Sequence, residues 1–186
     1  MAKTQYYTAT SVDGFIADAD NSLDWLFQVP SEGGPSSDRF RDFFAGVGAM
    51  AMGATTYEWV VDHDRLLDDP SKWHGYYGDT PCWVFTHREL PPLPGVDLRF
   101  VRDDVRPAHE QMMEAAAGKN IWVIGGGDLV GQFADAGLLD EIMLKVAPVT
   151  LGAGAQLLPR RLVSSDLTLT SVDNDGFFVN LTYTVA

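Results

Sequence analysis

The chain has 186 residues, of which 46% are hydrophobic, and its formal net charge at pH 7 is -13. This length and apolar content predict one domain, residues 1–186, with a packed core. The negative charge argues against nucleic-acid and membrane-surface partners, because their phosphate groups would be repelled, but it leaves a small anionic ligand open. Cys82 is the one cysteine, so an internal disulfide is excluded. We expect a cytoplasmic protein, because the sequence has neither a signal-peptide pattern nor an apolar run of membrane-spanning length.

In chain order, predicted strands alternate with predicted helices. The first strand covers residues 5–12, and a long loop rich in Asp, Ser, Gly and Pro follows at residues 18–37. Loops of this length with aromatic residues, here Trp25 and Phe27, are more often lids or binding loops than linkers. The later elements are a helix at 38–46, a strand at 49–53, a helix at 55–60, a polar, turn-rich stretch at 61–80, strands at 82–86 and 98–102, a helix at 107–117, a strand and a helix on either side of the glycines at 125–127, an apolar run at 139–148, and a hairpin of 167–172 with 177–185. This order predicts an α/β fold with a mostly parallel sheet and an antiparallel C-terminal hairpin.

Three consecutive glycines, Gly125, Gly126 and Gly127, connect a predicted strand to a predicted helix. A turn without side chains lets a phosphate approach the backbone, and the first N–H groups of the helix can bind it. The segment is not a Rossmann fingerprint, because Val130 stands where the last glycine would fall, and it is not a P-loop. On the glycines alone, a plain tight turn is an equally good interpretation.

A second strand-to-helix junction lies at Gly53, Ala54, Thr55 and Thr56. Its glycine permits close backbone approach, and either threonine can bind a phosphate or cap the helix. Two helix N-termini can flank the pyrophosphate of a dinucleotide, so two such junctions favour a nucleotide site over two unrelated turns.

A third group of polar residues, Thr86, His87 and Arg88, ends the predicted strand at 82–86. Ligands of α/β sheets bind at the carboxyl ends of strands, and an arginine there is suited to a ribose phosphate. A solvated loop arginine is the alternative.

Three acidic residues, Asp13, Asp24 and Asp38, are candidates for acid–base chemistry. Asp13 follows the first strand, where it can also make a simple Asx turn, and Asp38 opens a helix, where the dipole favours an acid anyway. We predict no metal site, because His63 has no companion motif with ligand spacing.

Taken together and in this order, five segments resemble the dihydrofolate-reductase-like superfamily. The resemblance is strongest to the reductase domain of the bifunctional riboflavin-biosynthesis deaminase–reductase and to stand-alone proteins related to it. It covers nearly the whole chain and rests on residues 11–17, 52–58, 84–88, 123–127 and 147–154.

The resemblance implies a three-layer fold, NADPH as cofactor, and hydride transfer to a pterin or to a pyrimidine such as 5-amino-6-(5-phosphoribosylamino)uracil. It implies that residues 21–25 match a mobile loop over the site, that Trp25 and Tyr57 contact the substrate, and that Asp38 or Asp13 is the catalytic carboxylate. A small-molecule substrate and a homodimer are compatible with it. The implied cofactor residues are Ala9 and Ile16 at the nicotinamide, Gly53, Ala54, Thr55, Thr56, Ile124, Gly125, Gly126, Gly127, Asp128, Leu129 and Val130 around the pyrophosphate, and Thr86, His87 and Arg88, with Arg102, at the 2′-phosphate.

Two residues depart from the pattern of that family. Ala54 stands where a basic residue is usual, and Asp128 places a carboxylate beside the expected phosphate, which it disfavours. These departures favour the alternative function, a non-catalytic nucleotide- or flavin-binding protein.

Overall fold

The computed structural model of the protein describes residues 2–29 and 35–186, and its centre is one sheet of eight strands. The strands, in chain order, are β1 (Thr4–Thr10), β2 (Phe15–Ala17), β3 (Val47–Gly53), β4 (Cys82–Phe85), β5 (Leu98–Val101), β6 (Asn120–Gly125), β7 (Glu141–Val146), β8 (Ala155–Gln156), β9 (Leu167–Asn174) and β10 (Val179–Val185). The helices are α1 (Asp24–Phe27), α2 (Pro35–Ala45), α3 (Ala54–His63), α4 (Ser71–Tyr77), α5 (Val105–Ala115) and α6 (Gly127–Asp135).

The strand order in the central sheet is β5-β4-β3-β6-β1-β7-β10-β9. Every pair from β5 to β7 is parallel, and β10 and β9 complete the sheet as antiparallel strands. The predicted α/β fold, with its mostly parallel sheet and antiparallel C-terminal hairpin, is therefore confirmed.

Helices cover both faces of the sheet, because successive side chains of a strand point to opposite faces. On β3, Ala51 packs into one core cluster with α5 and α6, whereas Met50 and Met52 pack into another with α3 and α4. One cluster lies on each face of the sheet, so helices, sheet and helices form the three layers that the family resemblance implies.

The stretch at 61–80 differs from its predicted description as polar and turn-rich, because α4 lies within it. Trp73 is fully buried, and Tyr77, one helical turn later, packs against the same core cluster. Two aromatic side chains at this spacing bury one face of a short helix whose other residues are exposed.

A second, two-stranded sheet pairs β2 with β8, and no local pattern predicted it. It ties the start of the long loop at 18–29 to the segment that follows β7. In the described parts of the chain, no helix combines the length and the apolar composition needed to cross a membrane.

Candidate functional site

A cavity of about 600 Å³ lies on the sheet beside the carboxyl ends of β1, β3 and β6. This volume is typical of a site for a small molecule or part of a cofactor. Seven of the predicted cofactor residues line it: Ala9, Ile16, Thr55, Thr56, Ile124, Gly125 and Gly126.

The two glycine junctions meet at this cavity. A Cβ atom built on Gly53 would lie 3.6 Å from the nitrogen of Gly126 and 3.7 Å from the oxygen of Gly125. Helix α3 begins after Gly53 and α6 begins after Gly126, and among the described residues no side chain caps either N-terminus. Their first N–H groups therefore remain available to an anion, which the helix dipoles also favour.

The backbone at Gly125 and Gly126 is shaped for close approach. Gly125 has a φ of +143°, which L side chains rarely adopt. Apart from Gly126 itself and its two chain neighbours, no described residue has a heavy atom within 4 Å of a Cβ built on Gly126. The space over Gly126 is thus open to a ligand.

The rest of the α6 segment does not line the cavity. Gly127, Leu129 and Val130 are buried, the last two as side chains in the core. The carboxylate of Asp128 accepts a hydrogen bond from Arg160 at 3.1 Å, and Arg160 also donates to Asp135 at 2.7 Å. Because Arg160 offsets its charge, Asp128 opposes a nearby phosphate less than the sequence alone indicates.

Thr86, His87 and Arg88 lie outside the cavity lining, as do Gly53 and Ala54. The guanidinium of Arg88 is held by both carboxylate oxygens of Glu58, each at 2.8 Å. The N–H of Arg88 donates to the hydroxyl of Thr86 at 2.9 Å. A phosphate bound by Arg88 would therefore compete with the Glu58 carboxylate.

Neither predicted catalytic carboxylate is among the described residues that line the cavity. Asp38 lies on the exposed side of α2, paired with Arg41 at 2.8 Å. Asp13 accepts hydrogen bonds from the Ser11 hydroxyl at 2.6 Å and from the N–H groups of Leu151 and Gly152 at 3.1 and 2.7 Å. Asp13 thus joins the turn after β1 to the segment after β7, and the catalytic assignments stay predictions.

The Ser11 hydroxyl, followed by the Gly152 N–H, lowers the pKa of Asp13 from 3.8 to about 2. The carboxyl is therefore ionised at neutral pH, which suits a hydrogen-bond acceptor and not a proton donor.

The two predicted substrate residues occupy core positions. Tyr57 is fully buried, its hydroxyl donates to the Pro91 oxygen at 2.6 Å, and burial, with a smaller effect of Cys82, raises its pKa to about 12. Trp25 is also buried, in a cluster with Val29, Ala147 and Phe178. It anchors the loop at 18–29, whereas Asn21 from the same loop lines the cavity.

Phe27 and Trp59 are the aromatic residues that the loop and α3 present to the cavity. Phe27 is 58% exposed, and its ring stacks on Trp59 with 6.2 Å between centroids and on His63 with 5.3 Å. An exposed aromatic ring at the cavity mouth fits the predicted lid.

Lys145 on β7 is a cavity residue that the sequence analysis missed. Among the described lining residues it is the one charged side chain. Its Nζ lies 3.8 Å from the centroid of the Phe178 ring. Burial lowers its pKa, against the opposing effect of Asp175. The available signal was a lysine within the apolar run at 139–148.

The sheet order and the antiparallel hairpin at one edge define a dihydrofolate-reductase-like fold, with a glycine-lined cavity at the carboxyl ends of its parallel strands. The chain belongs to the RibD C-terminal domain family, whose model matches residues 2–177. The predicted family resemblance is therefore confirmed.

Three known proteins illustrate the similarity. The uncharacterized protein YwjB of Bacillus subtilis (strain 168) is 32% identical over 181 residues, 97% of each chain. A putative riboflavin biosynthesis protein from Shewanella sp. PV-4 superposes with a TM-score of 0.79 at 22% identity, covering 100% of this chain and 99% of the other. Dihydrofolate reductase from Enterococcus faecalis, complexed with NADP(H), gives a TM-score of 0.59 at 13% identity over 98% of this chain and 96% of that one.

We predict that Asp13→Asn lowers the stability of the fold in a pH-dependent way. A carboxyl whose pKa is lowered by folding stabilises the folded state above its ordinary value of 3.8, and this contribution disappears as the pH falls towards about 2. Urea midpoints of the wild type and variant should therefore differ at pH 7 and converge between these two values. Asp68→Asn, at an exposed position, is the control. A difference between wild type and variant that is constant across this range would contradict the assignment.

Proposed function

We propose that the protein is an NADPH-dependent reductase that transfers hydride to a flat pyrimidine- or pterin-type small molecule. The observation that carries the proposal is the meeting of two uncapped helix N-termini over Gly125 and Gly126 at one cavity. Membership of the RibD C-terminal domain family supports it, as does the NADP(H) bound by the Enterococcus dihydrofolate reductase.

The residues at the two glycine junctions, here called the glycine edge, fit a dinucleotide. The first turns of α3 and α6, with the hydroxyls of Thr55 and Thr56, would bind the pyrophosphate, because they offer N–H and O–H donors without a side chain in the way. Ala9 and Ile16 are apolar lining residues that can border the nicotinamide. NADPH would supply the hydride from its nicotinamide ring.

The chain contributes positioning and exclusion of water. Leu23, Leu26 and Phe27 form an apolar edge along the loop side of the cavity, and Tyr7 and Trp122 form an aromatic wall. A stable arrangement of cofactor and acceptor in such an enclosure is the main requirement of hydride transfer. Consumption of NADPH by the purified protein, measured against a panel that includes dihydrofolate and 5-amino-6-(5-phosphoribosylamino)uracil, tests the activity directly.

One observation favours the alternative of a non-catalytic nucleotide- or flavin-binding protein. Among the described residues that line the cavity there is no carboxylate to deliver a proton. A flavin that stays with the protein through purification, combined with no turnover of NADPH, would support this alternative over the reductase.

We predict that Gly126→Val weakens NADPH binding at least roughly tenfold while the protein stays folded. The backbone of Gly126 is extended, with φ of -76° and ψ of 179°, and a Cβ meets nothing within 4 Å, so the fold tolerates the change. The added methyl groups would fill the space next to the Gly126 backbone that the phosphate must enter. Titration of tryptophan fluorescence with NADPH measures the effect.

Gly75→Val is the matched control, because its Cβ also meets open space but lies away from the cavity lining. It should leave the affinity unchanged. Wild-type affinity in folded Gly126→Val would contradict the proposed cofactor position.

We predict that Arg88 sets the preference for NADPH over NADH and that Glu58 limits it. Arg88→Ala should weaken NADPH by about tenfold to a hundredfold, the usual effect of losing a charge-assisted contact, and barely change NADH. Glu58→Gln should strengthen NADPH, because the guanidinium is then released from the carboxylate that holds it. Dissociation constants for both cofactors at one salt concentration are the measurement. An equal loss of both cofactors in Arg88→Ala would show that Arg88 does not contact the 2′-phosphate.

A further inference from the structure

Lys145 is a cation in an otherwise uncharged cavity. Its neighbour in β1 is Ala9, itself a lining residue, so the lysine lies on the part of the floor next to the expected nicotinamide. Tyr7 and Trp122 belong to the same lining, and flat aromatic rings there suit a planar acceptor.

The ammonium of Lys145 lacks a close anion. No ion pair or hydrogen bond joins its Nζ to any residue in the described ranges 2–29 and 35–186, apart from the contact with the Phe178 ring at 3.8 Å. A partly buried ammonium has three donors to satisfy, and an aromatic face satisfies them only in part.

Asp175 is the carboxylate that acts electrostatically on Lys145, but in the described structure its oxygens form no ion pair or hydrogen bond with Nζ and have other donors instead. They accept from the N–H groups of Phe178 at 2.8 Å and Phe177 at 3.3 Å and from the Asn180 amide at 3.4 Å. Asp175 therefore shapes the turn between β9 and β10 and leaves the donors of Lys145 for a ligand.

Because the whole chain is strongly negative, binding of an anionic ligand depends on the positive charge of Lys145. A protein with a net charge of -13 repels anions at long range, so an anionic substrate needs a specific positive group inside the site. Lys145 can only donate hydrogen bonds, so the group that it binds must be an acceptor, and a negatively charged oxygen binds best.

We propose that Lys145 binds a negatively charged oxygen carried on the ring of the acceptor, so that the cavity selects anionic planar heterocycles over neutral ones of the same shape. This inference rests on the proposed reductase function and adds the substrate class. The side chain acts as a determinant of substrate binding, beside the hydride acceptor and apart from the phosphate edge at Gly125 and Gly126.

Two pairs of probes isolate the charge. Orotate and 6-methyluracil are planar pyrimidines that differ by a carboxylate against a methyl group, and pterin-6-carboxylate and 6-methylpterin differ in the same way. Their dissociation constants are measured by calorimetry with the full chain. The wild type should bind the anionic member of at least one pair about tenfold to a hundredfold more tightly than the neutral member.

The variants Lys145→Met and Lys145→Arg test whether that preference comes from this side chain. Lys145→Met keeps the length of the side chain and should lose the preference, whereas Lys145→Arg should retain most of it. Lys72→Met makes the same change in net charge at an exposed position and should behave as the wild type. If neither anionic probe is preferred by the wild type, or if Lys145→Met keeps the preference, the inference is overturned.

NADPH titrations in parallel separate this inference from the proposed function. Wild type that binds and oxidises NADPH but shows no charge preference overturns the inference and leaves the reductase. Wild type that shows the Lys145-dependent preference but does not bind NADPH supports the inference and contradicts the reductase.

Discussion

Two backbone contacts that leave no room for a side chain connect the glycine edge of the sheet to the loop over the cavity. A Cβ on Gly127 would lie 2.2 Å from the oxygen of Gln156, so α6 begins directly against β8. A Cβ on Gly154 would lie 2.0 Å from the oxygen of Ala17, at the end of β2, where the loop at 18–29 starts. The small β2–β8 sheet thus fixes the loop relative to the N-terminus of α6, and the cavity between them depends on both glycines.

The electrostatics of the site follow from this geometry. Two helix N-termini supply partial positive charge at one side of the cavity, and Lys145 supplies a full charge on its floor. The two predicted catalytic carboxylates have other partners: Asp13 holds two loops together, and Asp38 is paired with Arg41. Asp128, predicted at the pyrophosphate, is paired with Arg160. Among the described residues that line the cavity, the one charged side chain and both helix N-termini favour anions, which agrees with the proposed phosphate-bearing cofactor and anionic acceptor.

The sequence was sufficient to predict the fold class and the two strand-to-helix glycine turns, because strand–helix alternation and glycine runs are local signals. It was insufficient where tertiary packing decides. Tyr57 follows Thr56 directly, yet the helical rotation of about 100° per residue turns Tyr57 into the core and leaves Thr56, with Trp59 one turn later, at the cavity. The pairing of Arg88 with Glu58 likewise depends on a residue distant in sequence, which no local pattern specifies. For Lys145 the one local signal was its position within the apolar run at 139–148, and that signal alone does not indicate a cavity.

We propose above all that a dinucleotide binds across the two glycine junctions. Amide chemical shifts of isotope-labelled protein, followed during titration with NADPH, test it most directly, because they report on each backbone N–H separately. We expect the largest changes at residues 53–56 and 125–128, with smaller ones around residue 9. Binding that leaves these amides unchanged and instead shifts those of the β9–β10 hairpin would contradict the account.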